Sequence, residues 1–146
     1  MTTFRTEKEA QQFAEKVMGF EEKLWAVKTE WTAKDMAQVA TEDVVFSFNG
    51  KECKGVAGML KEWSPVQGAL TSLKYLQINV LNFNDNFVVY EYSKIADTFD
   101  GKKHFARGTT MLWADTDGKT CKAESFTPKK NMDALNAVFG RYLSQK

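Results

Sequence analysis

A single histidine, His104, and two cysteines, Cys53 and Cys121, are the only soft metal ligands in the chain. The cysteines stand far apart and outside any CxxC spacing, so too few ligands remain for a zinc site and no metal is expected. Both thiols read as small buried apolar side chains. Charge of one sign is lacking too: 20 Lys and Arg against 19 Asp and Glu leave +1. Without a basic stripe, neither a nucleic acid nor an anionic membrane is an expected partner. No apolar run approaches the roughly 18 residues of a membrane span, and no basic-then-apolar leader opens the chain, which reads as soluble and cytoplasmic. Two prolines, no repeats and no low-complexity tract leave nothing to mark a domain boundary. One domain over residues 1–146 is expected, and 43% hydrophobic with 13% aromatic residues is enough for a single sizeable core. Gly55-Val56-Ala57-Gly58 lacks the spacing and the Lys-Ser/Thr of a phosphate loop, and no cofactor is expected.

What is present is a run of alternating segments from Leu73 to Pro128. Turn signals punctuate it at Asn84-Asp85-Asn86, Phe99-Asp100-Gly101-Lys102 and Asp115-Thr116-Asp117-Gly118-Lys119, so it reads as a four-stranded antiparallel meander. Ahead of it, Thr6-Glu7-Lys8-Glu9 is a capping-box pattern, followed by one apolar stripe through Phe13, Val17, Phe20, Leu24, Val27 and Trp31. Gly19 falls inside that helix and marks a place where it can kink. Thr32-Ala33-Lys34-Asp35 opens a second, short helix. Val44 to Phe48 reads as a strand that ends in the turn dipeptide Asn49-Gly50. Val56, Met59, Leu60 and Trp63 predict a third helix stopped by Ser64-Pro65. After Pro128, Asn131 is the predicted N-cap of a final helix with Met132, Leu135, Phe139 and Tyr142 on one face. The class is therefore α+β, a curved antiparallel sheet of the meander plus one short strand, with helices segregated to one side.

The same order of elements resembles a known family. So do the phrase Trp31-Thr-Ala-Lys-Asp35, the following Thr41-Glu-Asp-Val-Val-Phe46 with Asn49-Gly50, and the hairpin end Asp117-Gly118-Lys119. Together they resemble the nuclear transport factor 2-like superfamily in its SnoaL-like and ketosteroid-isomerase-like branch, over nearly the whole chain. The resemblance implies a cone whose concave face, covered by the N-terminal helices, encloses a pocket. It also implies a homodimer through the outer face of the sheet. By position, the strand acid of a ketosteroid isomerase-like site falls on Thr109 and its general-base aspartate near Phe48. The histidine of SnoaL-type cyclases falls where Ile95-Ala96-Asp97 stands. None of these matches, so neither chemistry transfers to a residue here.

Pairing the central strands through a two-residue Asp100-Gly101 turn sets Asp97 opposite His104, Lys94 opposite Arg107 and Tyr92 opposite Thr109. Alternation then gathers Ile78, Val80, Val88, Tyr90, Tyr92, Phe105, Thr109, Met111, Trp113, Ala123 and Ser125 on the pocket side. A slip of one residue in either turn exchanges the faces. Tyr90, Tyr92, Thr109, Trp113 and Ser125 are candidate wall residues for a flat apolar ligand, with Trp25 of the first helix as a roof; equally, they suit an ordinary aromatic core. Lys94 and Arg107 are candidates to hold a carboxylate or enolate oxygen at the mouth, or else snorkel to water. Asp97 and His104 are the candidate catalytic pair, a carboxylate orienting an imidazole base, or else a solvated pair at a hairpin tip. In this register His104 lies on the face opposite Arg107. Tyr75, Ile95, Leu112 and Phe126 fall on the uncovered face and motivate the homodimer.

Three functions follow from different classes. The first is a cofactor-independent isomerase, dehydratase or cyclase acting on a small apolar carbonyl compound; the second is a non-catalytic binder using the same pocket; the third is a dimeric scaffold. An ionisable group inside the cavity favours the first. A cavity of aromatics and hydroxyls alone favours the second, and a filled cone the third.

Overall fold

The computed structural model describes residues 4–145. The elements are α1 (Glu7–Ala26), α2 (Ala33–Met36), β1 (Ala40–Phe48), β2 (Lys51–Lys54), α3 (Gly55–Trp63), a 3-10 turn (Ser64–Val66), β3 (Leu70–Phe83), β4 (Phe87–Thr98), β5 (Lys103–Ala114), β6 (Thr120–Phe126) and α4 (Lys129–Ser144). The strands form one sheet in the order β2-β1-β6-β5-β4-β3. The meander β3 to β6 is antiparallel, as its turns require, whereas β1 joins β6 in parallel, with Phe46 beside Ala123 and Phe48 beside Ser125. The fold is thus α+β, with a curved sheet that is mixed where an antiparallel one was expected. Asn49 and Gly50 both take positive φ, +50° and +87°, which closes a two-residue hairpin and folds β2 back onto β1. This sixth strand has four residues, mostly polar and exposed, so no apolar alternation announced it.

Local chemistry explains most of the element ends. Thr6 accepts from the Glu9 N–H, and Thr32 and Asp35 form a reciprocal capping box. Gly19 does not interrupt α1, which runs unbroken to Ala26. Val27 is its C-cap, and Trp31 lies beyond the helix, where its indole N–H donates to the Leu24 carbonyl at 2.8 Å. The predicted cap of the last helix is displaced. Pro128 holds the N-cap position, and the Asn131 amide instead donates to the Phe105 carbonyl at 3.0 Å.

The β4–β5 hairpin sets the faces of the sheet, and it departs from the two-residue turn by one residue. The Thr98 N–H donates to the Lys102 carbonyl and the Gly101 N–H to the Thr98 carbonyl, so the loop is Phe99-Asp100-Gly101, with Gly101 at φ +80°. Phe99 joins the loop because its ring packs edge-on against Tyr142 of α4 at 5.3 Å and its N–H donates to the Ala69 carbonyl. Asp100 is fixed by Thr98 and by Arg141 at 3.1 Å. Lys94 therefore faces Ala106, Tyr92 faces Gly108, and Ala96 faces His104. The slip turns every β5 side chain over relative to the expected register. His104, Ala106, Thr110 and Leu112 point inward with Tyr90 and Tyr92, while Phe105, Arg107, Thr109, Met111 and Trp113 point outward. A bulge between Tyr75 and Gln77 in β3 likewise turns Tyr75 inward.

Helices α1, α3 and α4 cover the inner face. One part of the core gathers Trp25, Trp31, Met36, Val44, Val66, Leu70 and Val138; the other gathers Phe4, Phe13, Met18, Val88, Tyr90, Tyr92 and Leu112. Between these two parts the cone is not filled.

Candidate functional site

Two adjoining chambers open between α1, α3, α4 and the inner face. The larger has a volume of about 170 Å³. Its walls are apolar, with Met18 and Trp25 from α1, Val44 and Phe46 from β1, Met59 from α3 and Leu112 from β5. The smaller, about 50 Å³, continues toward His104, Leu135 and Phe139. Glu21, Trp25, Phe48, Trp63 and Lys94 line both and form the waist between them.

The polar groups of the larger chamber fall into two sets. Thr110 and Ser125, neighbours across β5 and β6, share a hydrogen bond of 2.9 Å. At the waist, the Tyr75 hydroxyl donates to Glu21 Oε2 at 2.6 Å, and the Tyr75 N–H donates to Glu22 Oε2 at 2.7 Å. Lys94 Nζ lies 3.9 Å from Glu21 Oε1, beyond hydrogen-bond reach. It also lies 5.6 Å and 5.3 Å from the ring centres of Tyr75 and Tyr92, a cation held over two aromatic faces. Its side chain is only 15% exposed, and among the described residues its ammonium makes no hydrogen bond. Burial first, then the Glu21 charge, push the Tyr75 and Tyr90 phenols well above the usual tyrosine range. Both stay protonated at neutral pH, and Tyr90 directs its O–H to Met18 Sδ at 3.3 Å.

The expected site residues divide between the two faces. Trp25, Tyr92 and Ser125 line the larger chamber, and Tyr90 lies fully buried beside it. Tyr92 lies flat against Gly108, with its hydroxyl 3.3 Å from Thr127 Oγ1. Arg107, Thr109 and Trp113 do not reach the chambers, because the three-residue loop turns them outward. Arg107 and Thr109 border an open polar groove on the outer face with Gln77, Asn79 and Glu91. Trp113 packs against Phe87 at 4.9 Å with Lys122 Nζ over its ring.

The structure does not bring Asp97 and His104 together. Asp97 faces Lys103 on the outer side, accepts from Lys103 Nζ and Ser72 Oγ at 2.8 Å each, and these bonds hold its carboxyl below the usual range. His104 lies inward and lines the smaller chamber. Its Nε2 is buried without a partner among the described residues, as is Thr120 Oγ1 in the wall of the larger chamber. Burial and then the Lys94 charge hold the imidazole pKa below its usual value. Among the described residues no three His, Cys, Asp or Glu side chains converge as a metal site would need, and no helix is long and apolar enough to cross a membrane.

Sequence reasoning missed Glu21, whose carboxylate anchors the waist. Glu21 sits one position past Phe20 on the stripe of α1, and helical spacing alone puts it at the edge of the apolar face. Nothing in the sequence marks it apart from the other acids of the helix.

No family model and no curated protein sequence matches the chain. Solved structures do. An NTF2-like protein from Anabaena variabilis ATCC 29413 superposes with a TM-score of 0.66 at 17% identity, over 86% of this chain and 95% of that one. A protein from Jannaschia sp. CCS1 named as a SnoaL-like polyketide cyclase gives 0.63 at 14% identity, over 88% and 91%. A protein from Agrobacterium tumefaciens C58 named as an isomerase of the SnoaL-like family gives 0.54 at 14%, over 80% and 97%. At these identities the likeness is one of fold alone, shared with these NTF2-like and SnoaL-like structures.

Proposed function

We propose that the larger chamber binds a small, uncharged, apolar molecule through one carbonyl oxygen, and that the chemistry the site suits is isomerisation or cyclisation by way of an enolate. The observation that carries this reading is the Lys94 ammonium. It is nearly buried at the waist of an apolar chamber, faced by two tyrosine rings, and without a hydrogen-bond acceptor among the described residues. A carbonyl oxygen supplies that acceptor. Glu21, the one carboxylate among the described residues lining the chamber, takes the proton from the carbon beside the carbonyl. As that C–H bond breaks, its electron pair places negative charge on the carbonyl oxygen, and a fixed cation in a dry site lowers the energy of that state more than it does in water. Glu21, held by Tyr75, is then the countercharge that keeps the empty waist neutral.

The presence of ionisable groups at an unfilled cavity favours this over a scaffold, and the names of the SnoaL-like neighbours agree with small-molecule chemistry on this fold. On the outer face, Leu76, Leu81, Phe105 and Phe126 are exposed large apolar side chains, which supports a homodimer through the sheet.

A thermal-shift screen of apolar ketones, terpenoids and fatty acids tests the binding. A ketone at about a hundred times its Kd should raise the midpoint by roughly 5–10 °C, and Lys94→Met should abolish most of that rise. Equal shifts by ketones in the wild type and in Lys94→Met contradict the role of Lys94. Deuterium uptake beside the carbonyl of a bound ketone in D2O then separates enzyme from binder: exchange above the solvent rate marks catalysis, and none marks a binding module.

A further inference from the structure

Carbonyl capture by Lys94 occupies the larger chamber and leaves the smaller one unused. The smaller chamber begins at the same Lys94 and runs between β4, β5 and α4. Its polar neighbours are nearly all engaged within the protein. Thr127 shares its hydroxyl with Tyr92, the Asn131 amide donates to the Phe105 carbonyl, and Glu21 accepts from Tyr75. Besides Lys94, His104 Nε2 is the exception, buried and unpartnered among the described residues. Buried polar atoms are ordinarily satisfied, and one that is not calls for an explanation; for His104 its place in the wall of a cavity supplies one, a bound molecule that completes the bond. Lys94 and His104 are also diagonal neighbours on one face, since Lys94 stands opposite Ala106 and His104 opposite Ala96. Their Cβ atoms are then about 7 Å apart, close enough for one small molecule to meet both.

We infer that a single ligand spans the two chambers, and that it is an uncharged hydroxy-ketone whose carbonyl oxygen accepts from Lys94 at the waist and whose hydroxyl donates to His104 Nε2 in the smaller chamber. This rests on the carbonyl reading of Lys94 and adds the second polar atom. The charges around the waist select an uncharged molecule. Lys94 cancels Glu21, with Glu22 a further acid nearby on α1, so a carboxylate ligand sets another anion beside these two. Protonation of His104 is opposed by its burial and by the Lys94 ammonium on the neighbouring strand, so the ring is neutral. With its proton on Nδ1, Nε2 presents a lone pair to a hydroxyl. Trp25, Phe48 and Trp63, with the Lys94 and Glu21 pair, line both chambers, which places the two side by side.

The test compares benzoin with deoxybenzoin, which differ by one hydroxyl beside the carbonyl, using quenching of tryptophan fluorescence as the readout of binding. The wild type should bind benzoin about five-fold more tightly, the worth of one neutral hydrogen bond. His104→Phe, close in volume, should bring the ratio to one while leaving deoxybenzoin affinity within about two-fold. Lys94→Met should weaken both. Should His104→Phe lose its cooperative melt, His104→Leu is read in the same way. Equal binding of the two ketones by the wild type, or a preference that survives in the His104 variant, overturns the inference and leaves the carbonyl reading standing. Deoxybenzoin affinity unchanged in Lys94→Met overturns the carbonyl reading itself, and binding of neither ketone overturns both.

Discussion

Gly108→Ala tests the register of the β4–β5 hairpin at the position where the structure is least forgiving. Gly108 stands opposite Tyr92, and the tyrosine ring lies across it. A Cβ built on Gly108 meets Tyr92 Oη at 2.5 Å, Tyr92 Cζ at 2.7 Å and the Phe126 carbonyl oxygen at 2.7 Å. The ring can swing, but the carbonyl belongs to the adjacent strand β6 and cannot. Overpacking of this kind costs about 1–3 kcal/mol. Moving Tyr92 also breaks its contact with Thr127, worth about 1 kcal/mol more. A loss of roughly 3 kcal/mol lowers the melting midpoint of a domain of this size by roughly 10 °C. Urea melts followed by circular dichroism give the free energy, and ligand affinity should fall as well, because the displaced ring enters the larger chamber. In the register of a two-residue turn, Gly108 points outward to open solvent and the same substitution is nearly silent. A change below about 0.5 kcal/mol therefore refutes the inward placement of Gly108, and with it the placement of His104 and Thr110.

Tyr75→Phe removes the O–H that holds Glu21 and should cost about 2 kcal/mol by denaturant melts, as loss of a buried hydrogen bond to a charged group does; a neutral result places Glu21 elsewhere. His104 titrates lower in the folded chain than in the unfolded one. The unfolded state thus binds the extra proton first, and stability should fall as pH drops below about 6.5. His104→Phe should lose that part of the slope, and identical slopes between pH 7.5 and 5.5 contradict the burial of the ring. For the outer face, sedimentation at micromolar concentration should show a dimer that Phe105→Glu dissociates, since Phe105 is 61% exposed; a monomeric wild type at all accessible concentrations rejects it.

Much of the fold was legible because local signals and global packing agree. The capping residues Thr6 and Thr32, the turn formers at Asn84, Gly101 and Gly118, and the period-two alternation of β4 each point to the element that forms. Tyr90, Tyr92 and Ser125 were legible as inner residues from the period-two alternation of the sheet, a reading that a one-residue slip would have reversed, whereas Trp25, off the main stripe of α1, was equally readable as a roof of the cavity or as half exposed. What failed was decided by single residues with tertiary partners. Phe99 is drawn into the loop by Tyr142 and Ala69, contacts from α4 and the start of β3 that no local rule contains, and this one extra loop residue moved Arg107, Thr109 and Trp113 to the outer face and His104 to the inner. The same loop residue turned Leu112, expected on the dimer face, to the inside, and the bulge after Tyr75 did so for Tyr75 in β3, while Phe126 remains outside. Lys94 was readable as a pocket-side cation, whereas Glu21, its partner, acquires a role only once α1 lies on β3 and β4.

The central claim is that a ligand carbonyl oxygen lies against the Lys94 ammonium, and the carbonyl carbon itself reports that contact. Acetophenone labelled with 13C at the carbonyl should show, on saturating the protein, a downfield-shifted bound resonance, because hydrogen bonding to a cation withdraws electron density from that carbon. The shift should vanish in Lys94→Met even at ligand concentrations that saturate the variant. A bound resonance at the position of the free ketone, or a downfield shift that persists in Lys94→Met, contradicts the claim.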